Sequence, residues 1–119
     1  MNANMCSCDY EPASVYVART LRARIPHRCE ECNRTIRPGE DYERVFGVWD
    51  GHLNTFHTCP HCVALRTYMQ NHVPCFCWAH GHTVEDVLDT LEEYAHEAPG
   101  LWFGAARLLV KTRQAKYVG

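Results

Sequence analysis

Apolar and polar positions change their period along the chain, and the changes mark its elements. From Ser14 to Ile25, the residues Val15, Val17, Leu21, Ala23 and Ile25 alternate with Tyr16, Thr20, Arg22 and Arg24. A period of two predicts an extended strand, with a bend or bulge where Arg19 breaks the apolar set. A second alternation sets Tyr42, Arg44, Phe46 and Val48 against Glu43, Val45, Gly47 and Trp49. Asp50-Gly51 follows, and because both positions tolerate positive φ it predicts a tight hairpin returning over His52 to His57. The period then lengthens. Cys62, Leu65 and Met69 share one face of a helix that Thr58 can cap, Pro60 can open and Pro74 stops after about Asn71. Val84, Val87, Leu88, Leu91, Tyr94 and Ala95 stripe another helix from Thr83, with Glu85 and Asp86 in its first turn. Ala98-Pro99-Gly100 breaks that helix, and Leu101, Trp102, Ala105, Leu108, Leu109 and Thr112 line one side of a last one. The pattern predicts an α+β chain. Residues 1–82 form the strand, hairpin and first helix, and 83–119 a helical hairpin packed on them.

Cysteine spacing adds chemistry to this outline. Cys29-Glu30-Glu31-Cys32 and Cys59-Pro60-His61-Cys62 are separated by 26 residues. Paired Cys-x-x-Cys turns let two thiolates point at one ion, and two pairs complete the tetrahedral shell of a structural zinc site. An outer doublet, Cys6-Ser7-Cys8, is mirrored by Cys75-Phe76-Cys77. If the N-terminus folds back over the first helix, these four make a second zinc site, with His80 or His82 as alternative ligands. Otherwise they are small buried apolar side chains. A disulfide scaffold is the competing reading of eight cysteines. It needs an oxidising compartment, and the stretch Met1 to Cys6 has neither the charged nor the apolar region of a secretion signal. In a chain of 119 residues a modest core leaves much of the stability to metal.

The order of parts resembles a treble-clef zinc finger: a Cys-x-x-Cys knuckle at Cys29, a hairpin, then a helix whose first turn carries Cys59 and Cys62. The resemblance implies a fold and a structural ion rather than an activity, since such fingers serve nucleic-acid binders, protein adaptors and nucleases alike.

Charge separates these uses only in part. The net charge of −2 conceals a basic cluster of Arg19, Arg22, Arg24, Arg28, Arg34 and Arg37, and an acidic helix of Glu85, Asp86, Asp89, Glu92, Glu93 and Glu97. The arginines offer phosphate contacts, and Tyr42, Phe46, Trp49 and Phe56 offer stacking surfaces. The bland reading makes those aromatics the hairpin core and the arginines a solvated face. A protein-docking surface is expected instead from the acidic helix and from Trp49 beside its turn. His52, Asn54 and His57 on the returning strand are the residues an HNH-like nuclease would use, but the doublet that such enzymes carry before the turn is missing. There is no Walker loop, dinucleotide fingerprint or nucleophile elbow, and four cysteines close a zinc shell against catalysis. No run of 18 apolar residues predicts a membrane helix.

A narrower resemblance covers Pro26-His27-Arg28-Cys29-Glu30-Glu31-Cys32, Ile36-Arg37-Pro38-Gly39-Glu40, Val48-Trp49-Asp50-Gly51, Thr58-Cys59 and Cys75-Phe76-Cys77-Trp78. These segments are similar to small zinc-finger proteins of tailed bacteriophages and prophages. The resemblance implies a setting in the bacterial cytoplasm during infection. It also implies a non-enzymatic role in host takeover, by binding a host protein or defence system.

Overall fold

The computed structural model describes residues 12–73, 75–94, 100 and 103–110. Its five strands are β1 (Val15–Arg22), β2 (His27–Arg28), β3 (Thr35–Ile36), β4 (Asp41–Trp49) and β5 (His52–Thr58). Helices α1 (Pro60–His72) and α2 (Thr83–Tyr94) follow, and residues 103–110 are helical again. The α+β class and the order of knuckle, hairpin and helix are those the sequence predicts.

One antiparallel sheet runs β1-β4-β5, and a two-stranded ribbon joins β2 to β3. Asp50 and Gly51 turn the β4–β5 hairpin at φ of 49° and 76°, the positive pair that Asp-Gly tolerates. Pro38 and Gly39 turn the chain from β3 into β4, with Gly39 at φ 93° and the Glu40 amide donating to Arg37 O at 3.1 Å. β1 pairs with β4 without interruption from Val15↔Val48 to Arg22↔Asp41. The bulge expected at Arg19 is therefore absent. The strand stops at Arg22 rather than reaching Ile25, as the chain turns through Pro26 into the knuckle.

Alternation divides the sheet into two faces. One carries Tyr16 from β1, Glu43, Val45, Gly47 and Trp49 from β4, and Phe56 and Thr58 from β5. It is covered by α1 and by residues 75–82. Here Val45 is fully buried, and the Trp49 ring lies over Gly47, where any Cβ would meet it. The Arg66 guanidinium reaches from α1 to Glu43 at 2.6 Å, with its other face on the Trp78 ring at 4.6 Å. The opposite face is covered only at one end. There Leu21, Ala23 and Tyr42 pack with Ile36, Cys29, Cys59 and Cys62. Farther along the same face, Val15 and Val17 are 45% and 42% exposed, so the apolar alternation of β1 looks outward rather than into the core.

The second cluster joins α1 to the C-terminal helices. Leu65, Met69 and Val73 pack with Val87, Leu91 and Ala105. Gly104 lets residues 103–110 approach α1, since a Cβ there would collide with the Tyr68 ring. Leu88, expected in the α2 stripe, is 48% exposed. Ala95, Leu101, Trp102, Thr112 and the break at Ala98-Pro99 lie outside the described residues. Thr58 does not cap α1. It is the last residue of β5, facing the core opposite Glu43, and the cap position falls to Cys59, with Pro60 opening the helix.

The Arg66–Glu43 pair has side-chain exposures of only 7% and 15%. Removing one partner strands the other charge. Arg66→Ala is expected to cost about 3–5 kcal/mol in urea denaturation, whereas Arg66→Met with Glu43→Gln should recover most of it.

Candidate metal centre

The four cysteines expected at the first site meet at one point. The short β2–β3 ribbon presents the first pair. Cys29 N–H donates to Arg34 O, and Asn33 N–H to Cys29 O, both at 2.9 Å. Asn33 adopts φ 65°, a left-handed conformation that asparagine tolerates and that closes the turn after Cys32. The second pair comes from the junction of β5 and α1, where Cys59 is the N-cap and Cys62 lies one helical turn on. The Cys29–Cys62 and Cys32–Cys59 sulfurs are 3.9 and 3.8 Å apart, and all four ligand atoms lie within 4.8 Å of one another.

These separations identify the chemistry. A disulfide needs about 2.05 Å, and all four thiols are free. A tetrahedral ion with metal–sulfur bonds of about 2.3 Å has edges of about 3.8 Å. The residues therefore fit a four-thiolate structural metal site, and the donor set is compatible with zinc. The thiols divide into two lowered and two raised in pKa, Cys32 being raised by its hydrogen bonds to Cys29 and Cys59 and by burial. A hydrogen bond from Cys32 leads in bringing Cys29 down to about 7. Hydrogen bonds from Cys29, Cys32 and Cys62 lower Cys59 strongly. Cys62 is driven the other way by its hydrogen bonds to Cys29, Cys32 and Cys59 and by burial. Four thiolates cannot share this volume without a cation among them.

Two neighbours complete the site, one assigned elsewhere by the sequence and one given no role by it. Arg34, expected among the phosphate-binding arginines, is buried. Its Nη2 binds both oxygens of Glu40 at 2.8 and 2.6 Å. Burial opposes the charge on Arg34, but Glu40 and the Cys59 sulfur raise its pKa, so a fixed cation stands beside the thiolates. Glu31, inside the Cys-x-x-Cys turn, reaches the start of α2. Its carboxylate accepts the Gly81 amide at 2.8 Å and the Thr83 amide at 2.9 Å. No spacing signal announces this role, because its partners lie about fifty residues away.

Other predicted residues take different places. Cys75 and Cys77 are disulfide-bonded rather than free, though not to each other, since their sulfurs are 3.9 Å apart; Cys6 and Cys8 lie outside the described residues. His80 sits in an aromatic cluster: its Nε2 is 2.8 Å from the Tyr16 hydroxyl, and its ring stacks on Phe56 at 5.0 Å. Trp49 and Trp78 meet it edge-on. His82 faces Glu85 at 3.6 Å. Trp49, expected as an exposed docking residue, is half-buried in that cluster, which corrects the expectation. Of the basic cluster, Arg22 pairs with Asp41 at 3.5 Å, and Arg19, Arg24, Arg28 and Arg37 are exposed. The nuclease trio does not converge. His52 and Asn54 lie on the Trp49 side of the sheet, whereas His57 lies on the other, stacked on His27 at 4.6 Å. Among the described residues no helix is long and apolar enough to cross a membrane.

No protein-family model, curated protein or solved structure matches the chain.

Metal removal is expected to unfold the finger. Chelation should abolish its circular dichroism and its cooperative melting, and a stoichiometric return of the metal should restore both. Unchanged spectra on chelation would contradict the site. His80 supplies a separate pH test. Burial leads in holding it down at about 4, against 6.5 for a free histidine. Between those values the unfolded chain binds the extra proton. Stability is therefore full above about pH 6.5 and falls as pH drops towards 4. Denaturation midpoints should fall over this window in the wild type more than in His80→Phe, at constant metal content.

Proposed function

We propose that the protein is a non-enzymatic zinc finger that works by binding another protein. The observation that carries this reading is the four-thiol cluster. Its shell is filled by the chain's own side chains and leaves no coordination position for substrate, so zinc would serve the fold rather than a reaction. Separation of His52 and Asn54 from His57 weighs against the nuclease reading. A second zinc site, with Cys6 and Cys8 as the remaining ligands, would need Cys75 and Cys77 as free thiols, whereas both are disulfide-bonded. Resemblance to small phage and prophage finger proteins supplies the setting. It is a bacterial cytoplasm, with a host protein or defence system as the target and an adaptor's or inhibitor's role.

Nucleic-acid binding is the second reading, favoured by exposed Arg19, Arg24, Arg28 and Arg37. Burial of Arg34 and engagement of Arg22 weaken it. Tagged protein with its metal intact is expected to capture a stoichiometric protein from a bacterial lysate, and nuclease treatment should leave the yield unchanged. Recovery of nucleic acid alone, lost at moderate salt, would replace the first reading with the second. Metal analysis should give one zinc ion per chain, unchanged in Cys75→Ser with Cys77→Ser; two ions falling to one in that variant would establish the second site.

A further inference from the structure

We infer that the open half of the β1-β4-β5 sheet docks an acidic amphipathic segment of the partner protein. This rests on the protein-binding reading and adds to it the place of contact and the chemistry of the occupant.

The strand register defines the surface row by row. Val15, Val48 and Leu53 form the first row, and Val17, Phe46 and Thr55 the second. Arg19 and Arg44 stand directly opposite each other in the third, with His57 beyond them, and Leu21 and Tyr42 form the fourth. The knuckle covers that last row and His57 of the third. Val15, Val17 and Leu53 are 45%, 42% and 60% exposed. A depression of about 480 Å³ is lined by Val17, Arg19, Leu21, Arg44 and Phe46. A second, of about 810 Å³, continues from Leu21 past Arg24 to Ile25. Val15, Val17 and Leu53 belong to neither buried cluster.

Charge identifies the occupant. Like charges directly opposite on a sheet repel, and among the described residues neither Arg19 nor Arg44 has an ion-pair partner. The carboxylate near their row, Glu30, faces His57 at 3.7 Å. A partner carboxylate placed over the third row would meet both guanidiniums, while apolar residues on either side of it would cover the first two rows and Leu21. From Val15 to Leu21 the surface runs about 20 Å, which suits a helix of about 13 residues.

Other occupants fit less well. Single-stranded nucleic acid stacks successive bases on aromatic platforms, but of the four stacking candidates Phe46 alone, half-buried, stands on this face; Tyr42 is buried under His27, and Trp49 and Phe56 lie on the far face. A second copy could offer the acidic side of α2, yet among its described side chains the exposed large apolar one is Leu88, against a surface with two apolar rows.

The test uses the full chain with its metal. Three labelled probes are compared by fluorescence anisotropy: a helical peptide of about four turns with leucines on one face flanked by glutamates, the same peptide with lysines for glutamates, and a thymidine oligonucleotide. The glutamate peptide is expected to bind and to shift the NMR signals of Val15, Val17, Phe46 and Val48. Arg19→Glu with Arg44→Glu lies on the surface and should keep the metal content and circular dichroism of the wild type. It should weaken the glutamate peptide at least about tenfold and accept the lysine peptide in its place. Equal binding of both peptides, or shifts on the α1 side of the sheet, would overturn the proposal. So would oligonucleotide binding without peptide binding, which assigns the face to nucleic acid. Self-association abolished by the double substitution would assign it to a second copy. A lysate protein captured equally by wild type and double variant would leave protein binding standing and remove this face from it.

Discussion

Four sulfurs within 4.8 Å of one another, three of them fully buried, form the constraint on which the rest of the structure depends. Thiolates packed at this distance repel one another strongly, and protonated thiols would forfeit the ligation that the geometry prepares. A cation resolves both problems. It also joins segments remote in sequence, because the knuckle holds one pair of ligands while the β5–α1 junction holds the other. The apolar cluster around Ile36 and Tyr42 is built directly on those cysteines, so core and metal shell are one object.

Legibility in the sequence followed the range of the interactions. Local signals succeeded. Asp50-Gly51 gave the hairpin, the two Cys-x-x-Cys turns gave the cluster, and the spacing of Cys62, Leu65 and Met69 gave the inner face of α1. Signals that depend on tertiary contact did not. Alternation in β1 identified a strand but could not tell that both of its faces stay open, with Val15 and Val17 exposed on one and Tyr16 on the other. Arg34 looked like its neighbours in a basic run, yet the fold turns it inward to Glu40 and Cys59. Arg44 stands outside that run, but strand pairing brings it opposite Arg19. Thr58 had the composition of a helix cap and became the last rung of a strand instead, because pairing with Glu43 sets its orientation.

The sheet shows how a small chain divides its labour. One face is closed by α1 and a cluster of aromatic rings around His80, where Arg66 and Glu43 neutralise each other out of water. The other is closed only as far as the knuckle extends. The described elements do not cover both faces, and the uncovered half keeps aliphatic residues beside two arginines. The division of the sequence near residue 82 is not a division of the core, since Leu65, Met69 and Val73 complete their packing against Val87, Leu91 and Ala105.

Glu31 ties the timing of assembly to this arrangement. Its carboxylate is half-buried within the first ligand turn, and burial opposes its charge until the Gly81 and Thr83 amides arrive. A chain emerging from a ribosome presents Cys29 and Cys32 first, then Cys59 and Cys62, and only later those two amides. In the order of synthesis the four cysteines therefore precede the two amides, and the first ligand turn gains its last contact only from the start of α2.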